Sequence, residues 1–257
     1  MLICFFLLLS SNSLSKFTRI IGGNDADLEK YPYMVSIRTV NGEGHYCGGT
    51  IISNRHIISA AHCFDKYHHS ELKVFTGSIL STSDKPNYRI LDVNIHPKYT
   101  GIISRLSTLY NDIAVATVDR CIEFNQFQNK INFPSKNIEN EANGKIIGWG
   151  MTHYPGKISE ILQEASVSIL NNTECAKFVP LAIHDGQICA FQSVGVGTCV
   201  GDSGGPLVSS NGEFVGIGSF MNLCALGEPD IFIRVYYFIE FIKDVMSATY
   251  FPSCSIS

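Results

Sequence analysis

The chain has 257 residues, nine of them cysteine, with 45% apolar side chains and a formal charge of −4. That length fits one large or two small domains with a real buried core, and all-β folds of this size commonly form a single unit. A mildly acidic chain without a basic run lacks the electrostatic footprint of a nucleic-acid partner or an anionic lipid surface.

At the N-terminus, "MLICFFLLLSSNSLS" carries an apolar stretch from Leu2 to Leu9, with small polar residues after it and no basic residue ahead. The stretch is too short to span a bilayer, so residues 1–15 read as a secretory signal peptide and no membrane association is expected. Loss of residues 1–19 would remove Lys16 and Arg19 and no acid, moving the formal charge from −4 to −6. Cys4 would leave as well, and the mature chain would keep Cys47, Cys63, Cys121, Cys175, Cys189, Cys199, Cys224 and Cys254. An even number in a secreted chain points to disulfides, whose pairing counting alone does not give. No pair has C-x-x-C spacing, which argues against structural zinc.

The rest reads as all-β. The runs "YMVSIRTV", "TIISNRHIISA", "LKVFTG", "YRILDVNI", "NDIAVATV", "KIIGWG" and "DIFIRV" are rich in Ile, Val and aromatics and are bounded by Gly, Asn, Asp or Pro. Many short strands with turns between them predict barrels or a sandwich. In "LVSSNGEFVGIG", Asn211-Gly212 between two apolar runs predicts a hairpin, because both residues tolerate positive φ. Only the tail departs from this pattern. Phe238, Phe241, Ile242, Val245 and Met246 recur at helical spacing opposite Glu240, Lys243 and Asp244, predicting an amphipathic helix over about 236–248. No internal repeat or linker is visible.

A serine hydroxyl is a weak nucleophile at neutral pH and needs a base within reach and a third group to orient that base. Ser203 stands in "GDSGGP", where glycines let the backbone turn sharply. His62 stands in "SAAHC" and Asp112 in "YNDIAV", at the start of an apolar run. Taken singly, each has an ordinary reading: a Gly-Ser turn, a satisfied core histidine, a turn-capping aspartate.

Together, in the order His, Asp, Ser, and with "IIGG", "SAAHC", "NDIA", "GWG" and "GDSGGP" in sequence, they make the chain resemble the chymotrypsin-like (trypsin-family) serine proteases from Ile20 to the terminal helix. The resemblance implies two six-stranded antiparallel β-barrels packed face to face with a C-terminal helix. The first would span about 20–130, the second about 131–235. It implies that His62 takes the proton of Ser203 as it attacks a peptide carbonyl and passes it to the leaving amine. Asp112 would orient His62, and the N–H groups of Gly201 and Ser203 would form the oxyanion hole. Residues 16–19 become a short activation propeptide: cleavage after Arg19 would free the α-amine of Ile20 to pair with Asp202.

The same resemblance pairs Cys47 with Cys63, Cys175 with Cys189 and Cys199 with Cys224. A further bridge common in the family would join the positions of Gly144 and Ser209, and both cysteines are absent. Cys121 and Cys254 are left either to pair, tying down the tail, or to stay free or bridge to another chain.

For specificity, the resemblance puts Gly197 at the pocket base, where tryptic enzymes carry an aspartate. It puts Ser219, Phe220 and Met221 on the strand that pairs with substrate, with Met221 where a glycine is usual. Asp230 aligns with a pocket wall usually held by glycine; it would either attract a basic side chain or be satisfied by Thr198 and local N–H groups. Gly197, Phe220 and "CALGEPD" look most like insect chymotrypsins, which implies cleavage after large apolar residues. Elastase-like and residual trypsin-like preferences are the alternatives.

Asn171-Asn172-Thr173 is an N-glycosylation acceptor sequence. His68 and His69 lack further ligands at metal spacing, "SILSTSDK" lacks the acids of a calcium loop, and neither metal nor cofactor is expected. "TGIISRLSTLY" is long for its place and would border the cleft. The expectation is a secreted, extracellular, monomeric endopeptidase, digestive or delivered in a secretion. Its partners would be protein or peptide substrates, an activating trypsin-like protease and protein inhibitors. The rival is a non-catalytic homologue that uses the fold for binding, but such homologues usually lose a triad member.

Overall fold

The computed structural model describes residues 20–41, 44–84, 87–104, 107–179, 182–221, 224–248 and 254. The apolar leader and the activation segment up to Arg19 lie outside the described residues.

Six antiparallel strands close the first barrel: β1 (Met34–Thr39), β2 (His45–Ile51), β3 (His56–Ser59), β4 (Leu72–Phe75), β5 (Asn87–Ile95) and β6 (Ala114–Val118). Around the ring they run β1-β2-β3-β6-β5-β4. The second barrel follows with β7 (Glu141–Gly148), β8 (Gln163–Leu170), β9 (Gln187–Phe191), β10 (Pro206–Val208), β11 (Phe214–Phe220) and β12 (Asp230–Arg234). Here the ring runs β8-β7-β10-β11-β12-β9 and closes through β8 and β9. Numbered within its own barrel, each strand has the same two neighbours in both rings. Closure leaves neither sheet with free edges across the body of the barrel.

The predicted runs became strands with two refinements. "TIISNRHIISA" is not one strand: it contains the end of β2, a turn, and β3, with Thr50 paired to Ile58 and Ile51 to Ile57. At the predicted hairpin β10 pairs with β11, and Gly212 takes φ +78 while Asn211 stays out of the left-handed region. Gly212 N–H closes a turn on the Ser209 carbonyl at 3.0 Å, which one left-handed residue suffices to complete.

The barrels share their core. Met34, Ile57 and Val115 of the first barrel belong to one apolar cluster with Ile147, Trp149, Phe214 and Ile217 of the second. The single tryptophan has its indole N–H satisfied by the Ile79 carbonyl at 2.7 Å, so a large buried ring joins the halves without an orphaned donor. The C-terminal helix α1 (Ile239–Ala248) follows a helical turn at Val235–Phe238 and buries Ile242 and Val245 in the same cluster. Phe238 and Phe241 flank the His96 ring with centroids at 5.2 and 4.8 Å. Thus the end of the chain packs on the first barrel, and the Cys121–Cys254 disulfide fastens it there.

The beginning of the described chain crosses in the other direction. Asn24 and Asp25 pair with Glu164 and Gln163 of β8, and Ile20 is wholly buried among second-barrel residues that include Ile146, Val167 and Leu207. The remaining disulfides are Cys47–Cys63, Cys175–Cys189 and Cys199–Cys224.

Candidate active site

His62 lies on a single helical turn, Ala61–Cys63, directly after β3, and the Cys47–Cys63 bridge holds that turn to β2. Asp112 precedes β6 and is wholly buried. Its Oδ1 accepts the backbone N–H of His62 at 2.8 Å, and its Oδ2 accepts from His62 Nδ1 at 2.7 Å and from the Ser219 hydroxyl at 2.6 Å. A carboxylate can only accept, so Nδ1 carries the hydrogen and the lone pair of the neutral ring sits on Nε2. Three donors offset the cost of burying the carboxylate.

Ser203 sits on the turn between Cys199, bridged to Cys224, and β10. Gly204 sets its position. It has φ +79, and a Cβ there would lie 2.0 Å from Ser59 Oγ and 2.5 Å from the Gly48 carbonyl. Only a residue without a side chain lets this turn press against the strand that leads into His62. The Gly48 N–H donates to the Ser203 carbonyl at 2.7 Å and the Gly204 N–H to the Gly218 carbonyl at 2.7 Å, clamping the turn to both barrels. Among the described residues, no hydrogen bond engages the Ser203 hydroxyl or His62 Nε2; such contacts commonly tighten only with substrate bound.

Gly201, two residues earlier, has φ +101 and packs beneath Ile158, whose Cδ1 would lie 2.6 Å from a Cβ at that position. Its carbonyl accepts from His45 Nε2 at 2.8 Å, and His45 Nδ1 lies 2.8 Å from Ser36 Oγ. Burial pushes His45 down to about 4, so the ring is neutral. Neither His45 nor Ile158 was singled out in the sequence; nothing marks a histidine at the start of a strand as a partner of a carbonyl more than a hundred residues away.

Asp202 is buried with its carboxylate over "GWG". Gly150 N–H donates to Oδ1 at 2.8 Å and Cys199 N–H to Oδ2 at 2.9 Å. Burial raises its pKa to about 6, the two N–H groups opposing the rise. Among the described residues no cation pairs with it. Nearby, the Gly197 N–H donates to the Ile21 carbonyl at 3.1 Å, so the segment after Arg19 lies along the loop that leads to Asp202.

The residues expected from the sequence to form a specificity pocket also converge. Asp230 Oδ2 would stand 3.0 Å from a Cβ at Gly197, and it accepts the Thr198 N–H at 2.6 Å. Burial lifts this carboxyl to about 7 despite the Thr198 hydrogen bonds. Beside Ser203, a cavity lined in part by Thr198, Ser219, Phe220 and Met221 leaves only about 10 Å³ of room. That is scarcely enough for one water. Met221 Sδ lies 4.0 Å from Cys224 Sγ, against the Cys199–Cys224 disulfide.

Ile103–Ser104 and Ser107–Thr108 form a small hairpin with Ile102 and Ile103 exposed. Tyr110 stacks on His184 with ring centroids 3.8 Å apart, joining this loop to the second barrel. Asn171 caps the short helix Asn172–Cys175 by accepting from Glu174 N–H at 2.8 Å. Cys47, His62 and Cys63 come close enough to suggest a metal cluster, but the two sulfurs are joined in a disulfide and are not thiolates.

The sequence model of the trypsin family, described as Trypsin, matches residues 20–242. The chain belongs to the trypsin family. It is a serine endopeptidase of the chymotrypsin/trypsin-like class, acting on protein or peptide substrates. It is similar to Chymotrypsin-2 of Vespa crabro, at 37% identity over 225 residues covering 87% of this chain and 98% of that protein. It is also similar to Trypsin 5G1 of Aedes aegypti, at 33% identity over 240 residues covering 91% of this chain and 87% of the relative. The two names differ in the specificity they denote, and pocket chemistry has to separate them.

Proposed function

We propose that this trypsin-family protein is an active secreted endopeptidase in which Ser203 attacks the peptide carbonyl. His62 is its base and then the acid for the leaving amine, and Asp112 holds His62 in the working tautomer. The observation that carries this reading is the pair of hydrogen bonds from His62 to Asp112, one from its backbone N–H and one from Nδ1, with Ser219 as third donor. It leaves Nε2 as the basic atom on the side open to a proton. Backbone N–H groups of Gly201 and Ser203 stabilise the oxyanion; loss of one such donor costs about 3 kcal/mol of transition-state stabilisation.

Activation follows a cut after Arg19, which frees the Ile20 amine for the buried Asp202, paired with no cation among the described residues. The burial of Ile20 and the strand contact of Ile21 with Gly197 support this. Leaving a buried charge without its partner costs about 3 to 5 kcal/mol, so pairing with the Ile20 amine would stabilise the oxyanion loop by that order on activation. The leader directs secretion, Asn171 carries the glycan, and the enzyme works as a monomer subject to protein inhibitors.

The preferred residue before the cut is large and apolar. Gly197 removes the usual aspartate, Thr198 occupies the Asp230 carboxylate, and the flexible Met221 thioether can swing aside. A second reading, preference for small or medium apolar residues, is favoured by the small cavity.

The deciding experiment cleaves the precursor with trypsin and profiles a peptide library, with Ser203→Ala as control. Cuts after Phe, Tyr or Leu support the first reading and cuts after Ala or Val the second; cuts only after Arg or Lys would show that Asp230 governs the pocket. Ile20→Gly is expected to abolish activity while secretion persists, and absence of fluorophosphonate labelling at Ser203 would favour a binding homologue.

A further inference from the structure

Arg38 lies in β1, is only 8% exposed, and among the described residues pairs with no carboxylate. A buried cation normally has a counter-charge. Here the charge is spread over neutral neighbours: Nε donates to Ser36 Oγ at 2.9 Å and Nη1 to the Ser83 carbonyl at 2.6 Å. The guanidinium carbon stands 3.9 Å from the centre of the Phe75 ring.

From Ser36 the hydrogen bonds continue to His45 and then to the Gly201 carbonyl, each at 2.8 Å. Elementary chemistry sets the direction of every link. A carbonyl only accepts, so His45 Nε2 carries the ring hydrogen. In the neutral ring Nδ1 must then accept, which takes the single hydrogen of the Ser36 hydroxyl. The Ser36 oxygen is left with lone pairs only, and it faces an obligate donor in Arg38. No member can reverse without breaking a neighbour.

The far end of this chain grips one peptide plane from one side. The Gly201 carbonyl and the Asp202 N–H belong to the same plane, and the N–H donates to the Cys199 carbonyl at 3.0 Å. Gly201 at φ +101 has the backbone freedom to let that plane turn over. With both ends held, the amides on either side stay pointed in one direction.

We propose that Arg38 is a positioning residue for the oxyanion site, acting through Ser36 and His45 on the carbonyl of Gly201. The inference rests on the reading of Gly201 and Ser203 N–H as the oxyanion donors. By charging the hydrogen bond at Ser36, Arg38 strengthens each later link, as ionised donors do.

The test compares activated wild type with Arg38→Met, Ser36→Ala, the double variant and Arg38→Lys. The readouts are kcat, KM, thermal unfolding, and affinity for a peptide aldehyde that adds Ser203 Oγ to its carbonyl carbon while the carbonyl oxygen takes up the proton. Removing one oxyanion donor outright costs about a hundredfold or more, and loosening one from a distance is expected to cost about tenfold. Arg38→Met should therefore lower kcat and aldehyde affinity together by about tenfold, with KM within about twofold. The double variant should lose no more than Ser36→Ala alone, and Arg38→Lys should recover part of kcat. A purely structural role would lower the unfolding temperature without this pattern.

Losses that add in the double variant overturn the proposal, as does an unchanged kcat in Ser36→Ala, which leaves the packing of Arg38 on Phe75 intact and remains informative if Arg38→Met does not fold. Wild type that labels with fluorophosphonate while Arg38→Met matches it sinks only the relay; unlabelled wild type sinks the site reading and the relay together.

Discussion

The hydroxyl of Ser219, on β11 of the second barrel, donates at 2.6 Å to the same Asp112 oxygen that receives His62 Nδ1–H from the first. The buried carboxylate is thereby shared between the barrels, and the orientation of His62 depends on their docking. A hydrogen bond to a charged group contributes about 1.5 to 3 kcal/mol. Ser219→Ala is expected to lower kcat/KM about tenfold, chiefly in kcat, and the unfolding temperature by several degrees. Steady-state kinetics with calorimetry checks both, and an unaltered kcat would show that His62 alone orients Asp112.

Asp230 predicts a pH dependence of fixed sign. Burial raises its carboxyl from 3.8 to about 7, so the folded chain keeps a proton that the unfolded chain has already lost. Its stabilising contribution is fully present below about pH 4 and is lost as pH rises through about 7. Asp230→Asn should gain on wild type between those limits, by about 4 kcal/mol at most. Asp202, raised to about 6, adds a slope of the same sign that this variant leaves in place. In activity, cleavage after Arg or Lys relative to Phe should rise with pH in wild type and stay flat in Asp230→Asn. Denaturant titrations at several pH values and paired substrates measure the two effects.

On the proposed reading of Gly197 as the base of the pocket, an aspartate placed there should not by itself confer tryptic cleavage. A Cβ at Gly197 would meet Asp230 Oδ2 at 3.0 Å and Ala225 Cβ at 3.2 Å, placing two carboxylates in one buried space. Gly197→Asp is expected to lose stability and activity without gaining tryptic cleavage, whereas Gly197→Asp with Asp230→Gly should cleave after Arg and Lys. Equal tryptic activity in the single and double variants would contradict this.

Met221 predicts the opposite change. With about 10 Å³ free beside it, Met221→Gly should raise kcat/KM for large apolar residues by roughly tenfold through KM. Cleavage after Ala should change little. A matched series of peptide substrates decides the point; an unchanged ratio of Phe to Ala cleavage would mean that the methionine already moves aside without cost.

The strand runs were legible where β-branched residues cluster, as in β6, and faint where polar residues are buried. β8 escaped notice because it opens on the buried Gln163 and ends on the partly buried Leu170, blurring an alternation that Ala165, Val167 and Ile169 do keep. Gln163 is tolerated inside because its amide nitrogen donates to Asp25 and to the carbonyls of Ile161 and Leu162. The motifs around His62, Asp112 and Ser203 pointed to the site, but the matching strand order of the two barrels left no repeat in the sequence. Pairing geometry constrains alternation and turns, and many residue choices satisfy both. The link of Arg38 to Gly201 was unreadable for a similar reason: it depends on three hydrogen bonds between strands and a distant turn, none of which has a spacing.

The Cys121–Cys254 bridge spans 133 residues and encloses the entire second barrel. Tyr154 lies inside that span on a turn where it is 68% exposed, the kind of site a protease would nick first. A cut at 153–155 would divide the eight described cysteines into two groups, with this bridge as the only disulfide between them among the described residues. Such a nicked enzyme would keep both halves of its cleft tethered, migrating as one species on a non-reducing gel and as two after reduction.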